Sequence, residues 1–162
     1  MSTATVSTPL TTGTGTTVAM RAMIDERRRV YRDQFGFNTF RDPRTDAITM
    51  VAGPVSAVIT PRGLGPRVRA LSGSGVAPVF SVGHRLWVFL ADCPTPTDNT
   101  AQLTAGLFEY GAVPLVPGTL IVLPTPGNEK RCWMYLPYGV TRPSFAAMVE
   151  AFQTAATEAG SL

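Results

Sequence analysis

Residues on which catalysis and metal binding most often depend are scarce in this sequence: 162 residues include one histidine, His84, and two cysteines, Cys93 and Cys132. A lone histidine excludes the HExxH and HxH ligand pairs, and neither cysteine belongs to a CxxC or Cys/His cluster. No metal centre or cofactor is therefore expected, and both thiols read as free. No G-x-S-x-G elbow is present, which removes the usual serine hydrolase arrangement. Charge is also sparse, at 15% of residues against 44% hydrophobic ones. That balance excludes a disordered chain and leaves lightly charged surface for a partner. The longest apolar runs, "LWVFLA" and "TLIVLP", are far shorter than the roughly 20 residues of a membrane-spanning helix, so no membrane partner is expected. The opening "MSTATVSTPLTTGTGTTVAM" lacks the basic and apolar regions of a secretory signal. It reads as a polar, disordered tail over residues 1–17, ahead of one domain over 18–162 in a cytoplasmic chain.

What the sequence does have is arginine. Thirteen of its fourteen basic residues are arginine, and the net charge is +3. Residues 21–44 carry seven arginines against four acids, and residues 99–162 carry three bases against four acids. An N-terminal basic bias permits an anionic partner without demanding one.

Hydrophobic periodicity predicts a helix from Val18 to Phe35, with Met20, Met23, Ile24, Val30, Tyr31 and Phe35 on one face and Arg21, Asp25, Arg28 and Arg32 on the other. Gly36 supplies its stop. The strand runs "AITMVAG" and "VSAVIT" flank Gly53 and Pro54 at hairpin-like spacing. "PRGLGPRVRALSGSG" predicts a short helix with Pro66 in its first turn. "PVFSV" and "RLWVFLA" form a second strand pair around "GH", and "AQLTAGLFEYG" is a helix. "AVPLVPGTLIVLP" contains a Pro-Gly turn, "RCWMYLP" is a strand, and a final helix carries Phe145, Met148, Val149 and Phe152 as one stripe. The fold class is α+β, a largely antiparallel sheet built from β-hairpins with helices packed on it, in a single domain.

Four segments carry candidate binding groups. Arg62, Arg67, Arg69 and Arg85 lie between residues 47 and 91 without an intervening acid, and a helix N-terminus flanked by arginines can receive a phosphate. "TPRGLGP" and "GSG" are themselves incomplete as nucleotide fingerprints and serve equally as turns. In "DERRRVYRD", Asp25 can pair with Arg28 or Arg29, and Arg29 with Asp33, as a solvated helix face; alternatively Arg28 and Arg32 continue Arg21 as a phosphate stripe. Trp133 and Tyr135 are candidates for stacking on unpaired bases. Trp87 and Phe89 share one face of a strand that looks buried on both sides. His84 lacks the carboxylate, nucleophile or further ligands that would make it catalytic, and reads as structural or phosphate-binding.

"PVFSVGHRLWVFLA" resembles the segment of primase-polymerase domains of the archaeo-eukaryotic primase superfamily in which a small residue, a spacer and a histidine precede a strand. "GTLIVLPTPGNEKRCWMYLP" is similar to that family's later strand, proline-containing loop and aromatic strand; together the two stretches place the resemblance over about residues 45–140. The resemblance implies that His84 contacts nucleotide phosphates, with Arg85 and Arg62 nearby. The family's paired carboxylates are missing, because the strand before the central helix reads "VSAVITP"; Asp46 and Asp92 do not make the pair. Two-metal phosphoryl transfer needs such carboxylates. The expectation is a noncatalytic, regulatory domain that binds DNA, RNA or nucleotide. The alternative is a protein-interaction or homodimeric module.

Overall fold

The computed structural model describes residues 17–73 and 76–160. Apart from Thr17, the tail expected over 1–17 lies outside the described residues, as do Ser74 and Gly75 of the "GSG" stretch. Helix α1 spans Val18–Phe35, followed by strands β1 (Thr39–Arg41), β2 (Ile48–Val51) and β3 (Val55–Pro61). Helix α2 (Gly65–Leu71), β4 (Val79–Val82), β5 (Leu86–Asp92) and α3 (Thr100–Phe108) come next. Strands β6 (Val113–Pro114), β7 (Leu120–Val122) and β8 (Arg131–Tyr135) precede α4 (Phe145–Gly160).

Thr17 starts α1 by accepting the Met20 N–H on its side chain, and Gly36 ends it in the left-handed region at φ 66°. Both are the residue types those positions require. Ile24 and Tyr31 of α1 are buried, as the periodicity predicts. The boundary of its apolar face is shifted, however: Met23 is exposed and Arg28 is half-buried.

All strand pairing is antiparallel, in two sheets: β1-β2-β7 and β6-β3-β5-β4-β8. The fold is thus α+β, but "AITMVAG" and "VSAVIT" do not form a hairpin with each other. The Gly53–Pro54 corner turns the chain from the small sheet into the large one; the Ala52 N–H reaches the Thr119 carbonyl, and the Gly118 N–H returns to Ala52. The Pro117–Gly118 turn is split in the same way, with β6 on β3 and β7 on β2. Each of these breaks lets the chain cross between layers instead of doubling back.

The five-stranded sheet has apolar side chains on both faces and a core against each. Val58, Val79, Trp87 and Phe89 pack under α2, α3 and α4, whose Phe145, Met148, Val149 and Phe152 are buried. Ala57, Phe80, Val88 and Leu90 face the small sheet and α1 through Ile48, Met50, Ile121 and Tyr31. Alternating side chains on β3, β4 and β5 thus serve two cores at once, which is why "LWVFLA" reads as continuously apolar. Arg142 ties this assembly to α1: its guanidinium donates to Asp92 at 3.1 Å and to the Phe35 carbonyl at 3.2 Å.

Candidate functional site

The registers of the large sheet set Pro61 opposite Leu86, Leu86 opposite Val82, and Val82 opposite Arg131. Four strand ends therefore finish on one line, with three interstrand gaps that span about 14 Å. The residues just past that line are Arg62, Gly83, Arg85 and Lys130, with His84 at the tip of the turn between Gly83 and Arg85. Backbone hydrogen bonds carry the ladder into this fringe: the Arg62 N–H donates to the Arg85 carbonyl at 2.8 Å, and the Gly83 N–H to the Lys130 carbonyl at 2.7 Å. Gly83 takes φ 59°, the left-handed backbone that lets "GHR" reverse the chain between β4 and β5.

Arg62, His84, Arg85 and Lys130 are all exposed. Among the described residues, Arg62, Arg85 and Lys130 have no carboxylate at ion-pair distance. Several arginines elsewhere are neutralised, Arg29 by Glu26, Arg32 by Asp33, Arg21 by Asp46, and Arg41 by both Asp25 and Asp46, whereas Arg27, Arg28 and Arg44 make no ion pair among the described residues. Unit charges 4 Å apart in water repel by only about 1 kcal/mol, so the fringe is tolerable without a ligand and gains from an anion laid along it. Arg62 and His84 also line a hollow of about 180 Å³ with Ser81, Trp87 and Met134. Its floor depends on Gly65: a Cβ there would overlap the Trp87 ring, so only glycine lets the start of α2 lie this close.

The other expected phosphate ligands are placed elsewhere. Arg67 points to α4, where its guanidinium grips both carboxylate oxygens of Glu158, one of them at 2.8 Å. That bond draws the Glu158 carboxyl below its ordinary value. Arg69 lies 3.5 Å from the centre of the Tyr135 ring, a cation–π contact. With only seven residues, α2 gives these arginines no extended helix terminus to frame. On α1, Arg32 is held by Asp33, while Arg28 is half-buried.

Trp133 and Tyr135, the stacking candidates, are half-buried and face opposite cores. A register shift between Val79 and Phe80 breaks the alternation that would have set them side by side. The Trp133 indole donates to the Tyr31 hydroxyl at 2.7 Å and meets Phe80 edge-on, while Tyr135 packs edge-on to Trp87. Both rings are engaged in packing.

Among the described residues no carboxylate pairs with His84. Asp92 stands at the far end of β5, about 20 Å away at strand spacing, where it pairs with Arg142. Asp46 adopts φ 57° and pairs with Arg21 and Arg41. Among the described residues no three His, Cys, Asp or Glu side chains gather as a metal site, and Cys93 and Cys132 are free and exposed. No described helix is long and apolar enough to cross a membrane. Sequence reasoning missed Lys130, because only pairing between β4 and β8 brings it beside His84.

No family model, curated protein or solved structure matches the chain.

Proposed function

We propose that the chain is a noncatalytic, cytoplasmic domain that binds nucleic acid or nucleotide through its phosphates, with Arg62, His84, Arg85 and Lys130 as the contact row. The observation that carries this reading is the register: four strand ends align, three of them adjoin an exposed cation (Arg62, Arg85 and Lys130), and His84 sits at the tip of the turn that joins the ends of β4 and β5. Exposed, unpaired cations spread over about 14 Å suit two or three successive phosphates of a flexible strand better than a single ion. The distance from His84 to Asp92 favours binding over phosphoryl transfer, in keeping with the resemblance to a primase-polymerase domain without its carboxylates.

The test is fluorescence anisotropy of labelled single-stranded and duplex oligonucleotides, with free nucleoside triphosphate as competitor. Each of Arg62→Ala, Arg85→Ala and Lys130→Ala should weaken binding about threefold to tenfold, and Arg67→Ala should leave it unchanged. Competition by nucleotide at micromolar concentration would assign the site to nucleotide; competition by oligonucleotide alone would assign it to the strand. Equal weakening by Arg67→Ala, or no binding at low salt, would overturn the reading.

A second reading, a protein-interaction or homodimeric module, is favoured by Val51 and Leu120. They are register partners on the small sheet and are 46% and 54% exposed. It requires a dimer or partner complex that persists in high salt and is lost in Leu120→Asp, measured by light scattering.

A further inference from the structure

Between the two sheets lies a cleft of about 160 Å³ on the face of the large sheet opposite the His84 hollow. Ile59, Val82 and Leu86 line it from the large sheet, and Leu120 and Val122 from β7. Its remaining wall is apolar except for one group, the Arg131 side chain, and no acid borders it. The Arg131 Nε is out of contact with solvent and has no hydrogen-bond acceptor among the described residues. Burial alone pushes the Arg131 pKa down from its usual value, with no carboxylate to oppose it. A buried N–H left without a partner costs about 1–3 kcal/mol, so the Arg131 head group beside the cleft is a place where an acceptor would be favourable.

We propose that this cleft binds a small amphiphilic carboxylate, with a compact aromatic or branched body held between the sheets and its carboxylate on the Arg131 guanidinium. Size supports this chemistry, since an apolar cavity of roughly 150 Å³ accepts a benzene-sized guest. Charge does so as well: a guanidinium presents a planar fork that matches two carboxylate oxygens. A free phosphate would leave the apolar walls without a partner, and an uncharged ring would leave Arg131 as it is. The site shares no side chain with the phosphate row, so either proposal can fail without the other.

The test is a titration of the isotope-labelled full chain, followed by amide and arginine Nε–H resonances, with phenylacetate, phenylacetamide and inorganic phosphate. Phenylacetate should shift Val82, Leu120 and Val122 saturably and move the Arg131 Nε–H, while the neutral amide binds at least about tenfold more weakly. Arg131→Gln should remove that preference, and Val122→Phe, which fills the cleft, should abolish both. If Arg131→Gln does not fold, the acid and amide on the unaltered chain decide alone. Equal affinity for the two, shifts confined to Arg62 and Arg85, or no saturable shift up to about 10 mM would overturn the proposal.

Discussion

The Tyr31 hydroxyl is used twice, donating to the Pro124 carbonyl at 2.6 Å and accepting from the Trp133 indole at 2.7 Å. It joins α1, the loop before β8 and β8 itself at one atom. Tyr31→Phe leaves both partners unpaired in a poorly hydrated place and should cost about 1–3 kcal/mol, read as a lower urea midpoint with an unchanged slope. Burial also raises the phenol pKa above its ordinary value of 10.0, against the smaller lowering influences of Trp133 and Arg27. The fold therefore favours the neutral phenol: its contribution is complete below pH 10 and falls as pH rises through the folded value. Unfolding followed between pH 9 and about 11 should show this decline in the unaltered chain and not in Tyr31→Phe.

At the scale of elements, α2 is held to the sheet by a close approach and to α4 by an ion pair. Gly65→Ala forces a methyl into the Trp87 ring and should destabilise by about 1–3 kcal/mol, with a changed tryptophan emission as the second readout. The Arg67–Glu158 pair is exposed, and it depresses the Glu158 carboxyl. Its small contribution is present above the ordinary carboxylate value and is lost as pH falls through the lowered one. Protection factors of the α2 amides, taken relative to intrinsic exchange at each pH, should fall as pH drops through the lowered Glu158 value, and Glu158→Gln should remove that pH response.

Much of this level was legible in the chain. The α1 boundaries, the "GH" turn and the stripe of α4 follow from local periodicity and turn residues, which act over a few positions. The division of β2 from β3, and of β6 from β7, was not. Gly53–Pro54 and Pro117–Gly118 specify that the chain turns, and only the packing of two layers decides onto which sheet it turns. The site divided along the same line. His84 and Arg85 are neighbours in one turn, whereas Arg62 and Lys130 join them only through the pairing of β3 with β5 and of β4 with β8. Arg67 and Arg69 were drawn off by Glu158 and Tyr135, distant partners that no spacing rule contains.

For the whole molecule, the distribution of neutralised and free charge matters more than the net charge of +3. Acids sit beside Arg21, Arg29, Arg32, Arg41 and Arg67, and no carboxylate pairs with Arg62, Arg85 or Lys130, nor with Arg27, Arg28 or Arg44, among the described residues. The fold thus gathers three uncompensated cations at one end of one sheet, while the opposite end of β5 is closed by Asp92 and Arg142. The most direct measurement of this account is the salt dependence of single-stranded oligonucleotide binding by the unaltered chain and by the triple variant Arg62→Ala/Arg85→Ala/Lys130→Ala. Three phosphate contacts give a slope of about −2 in log affinity against log salt, and the triple variant should bring it close to zero. An unaltered chain that does not bind at low salt, or a triple variant that keeps the full slope, would contradict the strand-end row as the binding surface.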